Sequence, residues 1–252
     1  MQSGITMVHR EELDNYCNKF LCVKNFKDYG HNGLQIEGSD TIDKIISGVS
    51  ANLDLIELAI EENADAIFVH HGIFWDNESN LITGAKRKKI ALLMNNNINL
   101  FGYHLPLDDN PEVGNNIELG RILGIKKMRP VEDSYLWQGE LKTDLKSFSS
   151  LIEKELGRTP QLFGEMKESV NKIAWCTGGA QGFIDEAIKL KVDLYLSGEV
   201  SERTPAAAKE NGITFISAGH HATERYGVQS LCNHLSAKFK LQHQFIDVDN
   251  SV

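Results

Sequence analysis

None of the four cysteines (Cys17, Cys22, Cys176, Cys232) stands in a C-x-x-C pair. That spacing offers neither a disulfide framework nor a thiolate zinc site, and it fits reduced thiols in a cytoplasmic protein. Positive charge is also scarce. The 26 Lys+Arg are outnumbered by 35 Asp+Glu, leaving a formal charge of −9. Binding to nucleic acid or a membrane surface depends on clustered positive charge, so neither is expected as a general property, and only a local basic groove would reopen the question. No uninterrupted apolar run approaches the ~20 residues of a membrane helix. The stretch Met1–Glu12 lacks the charged-then-apolar build of a signal peptide. Low-complexity segments and Pro/Gly/Ser linkers are absent too. What remains is ordinary globular composition, 41% hydrophobic and 24% charged over 252 residues. A chain of that size buries roughly three-quarters of its unfolded surface and needs neither disulfides nor a structural metal for its core.

The apolar pattern alternates between strand and helix periods. His9–Phe20 reads as a helix, with Leu13, Cys17 and Phe20 on one face. The turn-rich stretch Asp28–Gln35 follows, marked by Asn32-Gly33. Ile42–Val49 reads as a strand, and residues 52–63 as a helix capped by Asn52. Ala64–His71 is a buried strand ending in two histidines. Strand, helix and strand in succession predict a βαβ unit and a parallel sheet. Farther on, Ile98–Tyr103 is a strand leading into His104, and Asn115–Leu123 is a helix closed by Gly124. A helix over Leu145–Leu156 is capped by Thr143-Asp144 and stopped by Gly157. The polar region Lys126–Ser134 reads as the seam between two α/β repeats, 1–128 and 129–252, with C-terminal residues able to pack with the first.

The halves resemble one another. Lys44-Ile45 through His70-His71 aligns without gaps on Lys172-Ile173 through Gly198-Glu199, a shift of 128 residues that carries Asp65 onto Asp193. Asn97–His104 falls on Ile213–His220 with a shift of 116, and each terminal histidine has a carboxylate four residues later, Asp108 and Glu224. All βαβ units share apolar strands; the matched His-x-x-x-acid endings are the more specific sign of duplication.

Five of the nine histidines, His70-His71, His104 and His220-His221, follow predicted strands. Ligands of open α/β sheets bind beyond the carboxyl ends of strands. With Asp108 and Glu224 these histidines supply imidazole nitrogen and carboxylate oxygen, a donor set for Mn, Fe, Co, Ni or Zn. Strand alternation turns His70 and His71 to opposite sides while the chain stays extended. At a strand end each could serve a different ion, with two carboxylates, one from each half, bridging the pair. His220 and Glu224 share a face if a helix starts near His220. His104-Leu-Pro-Leu-Asp108 contains a proline and reads as a loop. His9, His31, His234 and His243 read as structural. In Cys176–Asp185 the glycine-rich run is either a phosphate cradle or a tight strand-to-helix turn; it carries neither a dinucleotide fingerprint nor a Walker sequence. Glu199, at the end of the strand matching His70-His71, is a candidate acid or base.

The segments Asn32-Gly-Leu-Gln, Val69-His-His-Gly-Ile-Phe-Trp75, Tyr103-His-Leu-Pro-Leu-Asp108, Trp175-Cys-Thr-Gly-Gly and Gly219-His-His-Ala-Thr-Glu-Arg225 together resemble the YbgI-type family. It is also called the NGG1-interacting-factor-like family, and its members are known as GTP cyclohydrolase 1 type 2 homologues. The resemblance covers nearly the whole chain. It implies an α/β fold of two intertwined, duplicated repeats with mostly parallel or mixed sheets, the metal site between them, and a toroidal homohexamer. It further implies two divalent metal ions (Fe, Mn, Zn, Co or Ni) on His70, His71, Asp108, His220 and Glu224, with His104 beside them. On that basis the expected function is metal-dependent hydrolysis of a nucleotide or cyclic amide, with Glu199, His104 or His221 moving protons and Arg225 or Arg203 meeting a triphosphate. The alternative is a non-enzymatic metal-binding regulator or ring-shaped scaffold. A small-molecule substrate and other copies of the chain are the expected partners; no membrane is expected and nucleic acid is not favoured.

Overall fold

The computed structural model describes residues 7–252. Met1–Thr6, half of the stretch compared with a signal peptide, lies outside the described residues. Among the described residues no helix is long and apolar enough to cross a membrane.

The protein is a mixed α/β fold in two compact units. The first contains the described residues up to Gly114 and, after a long excursion, Gly227–Asp249; the second contains Asn115–Tyr226 and Asn250–Val252. The first unit is built on a five-stranded sheet. Its strands Gln242–Phe245, Lys44–Ser50, Ala66–His71 and Asn99–Gly102 run parallel, and Gly33–Ile36 is antiparallel at the edge. The second unit has a six-stranded sheet. There Ser169–Trp175, Leu194–Ser197 and Thr214–Ser217 are parallel, flanked by antiparallel Trp137–Asp144, Lys126–Pro130 and Gln161–Gly164. Lys126–Pro130, in the polar region read as the seam, is an edge strand of this sheet. Its mostly exposed side chains give an edge strand the composition of a linker. The helix Asn115–Ile122 belongs to the second unit because Ile117 and Leu119 pack with Trp137, Ile173 and Trp175.

Both central sheets are covered on both faces, which explains why their strands read as continuous apolar runs. Ile45, Ala66 and Phe68 face one cluster and Ile46, Ile67 and Val69 the other. In the second unit Ile173 and Trp175 oppose Ala174 and Tyr195 in the same manner. The caps are as the residue types require. Asn52 accepts from Leu55 N at 2.8 Å, Asp144 accepts from Ser147 N at 2.8 Å, and Gly157 closes its helix at φ +67.

The duplication is written into the sheet register. Ile45 pairs with Ala66 and Ile173 with Leu194, positions that differ by the same 128 residues. Asp65 Oδ2 accepts from the backbone N–H groups of Asp43 and Lys44, and Asp193 Oδ2 accepts from those of Asn171 and Lys172, the same construction at the same shift. The second match is corrected by one residue. Ala66 pairs with Asn99 and Leu194 with Thr214, a shift of 115, so the counterpart of His104 is Gly219 and not His220. A one-residue register change is invisible to apolar composition alone.

The last strand of the first sheet carries a pH-sensitive contact. His243 Nδ1–H donates to Asn233 Oδ1 at 2.9 Å, leaving Nε2 to accept from the Ser47 hydroxyl at 2.8 Å. Burial holds the His243 pKa below 6.5. The unfolded chain therefore binds more protons than the native state between that lowered value and about 6.5, so stability falls as pH drops through this window. Thermal melts between pH 7.5 and 5.5 should show a smaller loss of Tm for His243→Gln than for the natural chain; parallel curves would refute the assignment.

Candidate metal centre

In the first unit the donors come from the ends of two parallel strands. His70 and His71 close Ala66–His71, and His104 caps the short helix Leu105–Asp109 that follows Asn99–Gly102. Leu105–Asp108 is thus helical, with His104 as its cap, and not a loop. Pro106 lies in the first turn, where a missing N–H costs no intrahelical bond. Despite strand alternation the His70 and His71 rings lie 4.6 Å apart, at the point where the strand ends. One ligand atom from each of His70, His71 and His104 can be chosen with all three within 4.8 Å of one another. Donors about 2.1 Å from one ion are at most about 4.2 Å apart, so small ring rotations suffice to close on a cation. Buried Asp108 brings Oδ1 to 3.5 Å from His70 Nε2.

In the second unit the short helix His220–Thr223 places His220 Nε2 3.1 Å from Glu224 Oε2, both side chains on one face. Glu199 Oε1 lies 2.6 Å from His220 Nδ1. Burial pulls the His220 pKa down, but bonding and attraction to Glu224, then Glu199, outweigh it and raise the pKa to about 9. In the metal-free protein this imidazole therefore holds a proton at neutral pH, and a cation taking Nε2 must displace it. Buried His221 donates its backbone N–H to Val252 O at 3.0 Å. Arg225 Nη2 bonds Leu156 O, and Arg203 is ion-paired with Asp185.

The histidines fit a metal because each has its Nδ1 held from behind. Tyr103 O accepts from His70 Nδ1 at 2.9 Å, Ser50 Oγ faces His71 Nδ1 at 3.0 Å, and Asp28 Oδ1 faces His104 Nδ1 at 2.7 Å. Glu199 completes the series on His220. Holding Nδ1–H fixes the tautomer that offers Nε2, and this outer partner is a regular companion of metal-ligating histidine. The set contains no thiolate, and nitrogen with carboxylate suits Mn, Fe, Co, Ni or Zn.

Three of these supports were not legible as such. Asp28 and Asn32 lie in the turn-rich stretch and act at long range. Asp28 Oδ2 accepts from Leu105 N at 2.9 Å and from Asn32 Nδ2 at 2.8 Å, while Asn32 Oδ1 accepts from His104 N at 2.7 Å. Burial pushes Asp28 up, yet the bonds from His104, Asn32 and Tyr29 N win and hold its pKa below the ordinary value. Ser50 closes the strand beside His71. The only sequence signal was a cluster of Asp, Asn and Gly that also marks any turn. Asp28→Asn should lower metal affinity about 10- to 100-fold with little change in folding, the usual cost of an outer-shell loss; a chelator competition that gives natural affinity would exclude the role.

The glycine-rich run 176–180 resolves toward the tight turn. The amides of Thr177, Gly178 and Ala180 are bonded to Asn116 Oδ1, Thr223 Oγ1 and Ser197 Oγ, so they offer no phosphate cradle. Gly178 sits at φ +66, and a Cβ there would fall 2.0 Å from Glu224 Oε1 and 3.1 Å from His220 Nε2. The glycine makes room for the donors.

Parallel sheets with histidines and carboxylates gathered at strand ends define an α/β protein with a candidate divalent-metal centre. More particularly, the chain belongs to the Duf34/NIF3 (NGG1p interacting factor 3) family, whose model matches residues 8–251. It is 47% identical over 246 residues to a Pseudomonas aeruginosa protein, covering 95% of this chain and 96% of that one, and 45% identical over 248 residues to one from Allochromatium vinosum, covering 97% and 98%. Both carry the name GTP cyclohydrolase 1 type 2 homolog. Among solved structures, that of the protein ybgI, described as of unknown function, is similar with a TM-score of 0.94 at 43% identity, covering 97% of this chain and all of that one.

Proposed function

We propose that the protein is a metal-dependent hydrolase holding two divalent ions on His70, His71, Asp108, His220 and Glu224, and acting on a nucleotide or cyclic amide as a homohexamer. The observation that carries the reading is the common construction of the four histidines, each with Nδ1 engaged, joined to the carboxylates that face His70 Nε2 and His220 Nε2. Bound divalent ions would supply a water acidified to near neutrality and an electrophile for the atom under attack. The chain's own part is to keep the imidazoles in register and to move protons. Asp28 holds His104, Glu199 holds His220, and Glu199, His104 and His221 are the groups proposed to exchange protons with substrate and leaving group. Because Arg203 and Arg225 are engaged elsewhere in the second unit, they are not assigned to a triphosphate.

The relatives' name makes GTP the first substrate to try. Hydrolysis at C8 of the purine opens the imidazole ring and releases formate. Protein loaded in turn with Mn, Fe, Co, Ni and Zn should release formate from GTP, followed by a formate assay and by the ultraviolet spectrum of the opened ring. No product with any metal removes GTP. No product across a panel of nucleotides and cyclic amides, with metal still controlling oligomeric mass, favours the non-enzymatic scaffold.

A further inference from the structure

Beside the histidine cluster stands an aromatic pair that the metal reading does not use. Tyr29 is 61% exposed although its ring lies 6.3 Å from that of His104. Trp75 meets the same imidazole edge-on at 5.1 Å and lies 6.0 Å from His71. Their backbones are tied together. Gly30 bridges Trp75 in antiparallel fashion, Asp76 N donates to Tyr29 O at 2.7 Å, and His31 N donates to Phe74 O at 3.2 Å. Gly30 has to be glycine, since a Cβ would sit 2.8 Å from the indole and 2.7 Å from Phe74 O. Tyr29 N is bonded to Asp28 Oδ1, the carboxylate that also holds His104. The tyrosine backbone is thus fixed on both sides while its ring stays open to solvent, next to a group positioned for chemistry.

An exposed tyrosine on a rigid backbone is a binding surface already organised: it has few rotamers to lose and a large flat face to bury. We propose that Tyr29, with Trp75 as the neighbouring wall, is the platform on which the substrate's planar heteroaromatic ring stacks. This selects nucleobase-like substrates and disfavours non-aromatic cyclic amides. The proposal rests on the hydrolase reading for the identity of the reacting group, but binding is measurable without turnover. Stacking on a tyrosine face tolerates any base, so discrimination among purines would come from other contacts.

Trp75 supplies the reporter, because Trp137 and Trp175 are 2% and 0% exposed. Metal-loaded protein is titrated with guanosine, GTP and ribose 5-triphosphate while tryptophan emission is followed. Guanosine and GTP should quench saturably and the base-free triphosphate should not. Tyr29→Ala should raise Kd for both nucleosides about tenfold or more, and Tyr29→Phe should stay within about twofold, with metal content unchanged in both. Ribose 5-triphosphate binding as tightly as GTP would overturn the platform. So would unchanged guanosine binding in Tyr29→Ala, including the case where that variant loses oligomeric mass, which would assign the ring to a contact between copies. Base-dependent quenching without turnover supports the platform while rejecting the hydrolase, whereas turnover without base-dependent quenching does the reverse.

Discussion

On the proposed metal centre, His70→Gln should yield folded protein that no longer retains a divalent ion. His70 is 1% exposed at the end of a central strand, and its Nδ1–H is the donor to Tyr103 O. A glutamine amide can keep a donor near that carbonyl while removing the imidazole Nε2. His70→Ala removes both and should cost a further ~1–3 kcal/mol for the carbonyl left without its donor. Loss of an outer partner already costs about 10- to 100-fold in metal affinity, so loss of a ligand should cost more, and turnover should fall below detection. Elemental analysis after dialysis, chelator competition and the formate assay on the same preparation check it. Metal retained at natural stoichiometry in both variants would show that the centre does not involve His70. Metal lost with only oligomeric mass affected would favour the scaffold over the enzyme.

The sequence made the central strands and their caps legible because the deciding interactions are local. Asn52 and Asp144 act three residues away, and Gly157 needs only its own left-handed backbone. The residues of the candidate centre stand out in the sequence for a different reason, since chemistry-bearing side chains at strand ends are conspicuous against apolar runs. What lay hidden is set by contacts across large separations. Asp28 reaches His104 over 76 residues, and Gln242–Phe245 joins the first sheet beside Lys44–Ser50 nearly 200 positions earlier. Neither leaves a periodic trace. The shift of 116 suggested by the histidines differs by one residue from the 115 of the strands, because strand register pairs backbone positions and is indifferent to the side chain that follows the strand. The proline in His104–Asp108 suggests a loop because it breaks helix interiors, yet it suits first turns, and the one-turn helix Leu105–Asp109 has no interior.

Gly178→Ala should disturb both the turn and the His220–Glu224 contact of the second unit. Two penalties coincide. The residue occupies φ +66, where a Cβ strains the backbone by about 1 kcal/mol. The new methyl would also stand 2.0 Å from Glu224 Oε1, a separation no packed structure retains. The backbone has little room to move away, since Gly178 N is bonded to Thr223 Oγ1 and Gly178 O accepts from Gly198 N and Ser197 Oγ. Glu224 must therefore swing off His220 Nε2, its partner at 3.1 Å. Stability should fall by ~1–3 kcal/mol. On the proposed centre, affinity for a metal on His220 and Glu224 should fall by about 100-fold or more, because a proposed ligand and not merely its support is displaced. Gly182→Ala is the matched control: its Cβ would meet nothing within 4 Å, so it should leave both properties near natural values. Chelator competition and thermal melts on the two variants separate the cases. Equal behaviour would mean that the His220–Glu224 contact is free to rearrange, and that the glycine serves the turn alone.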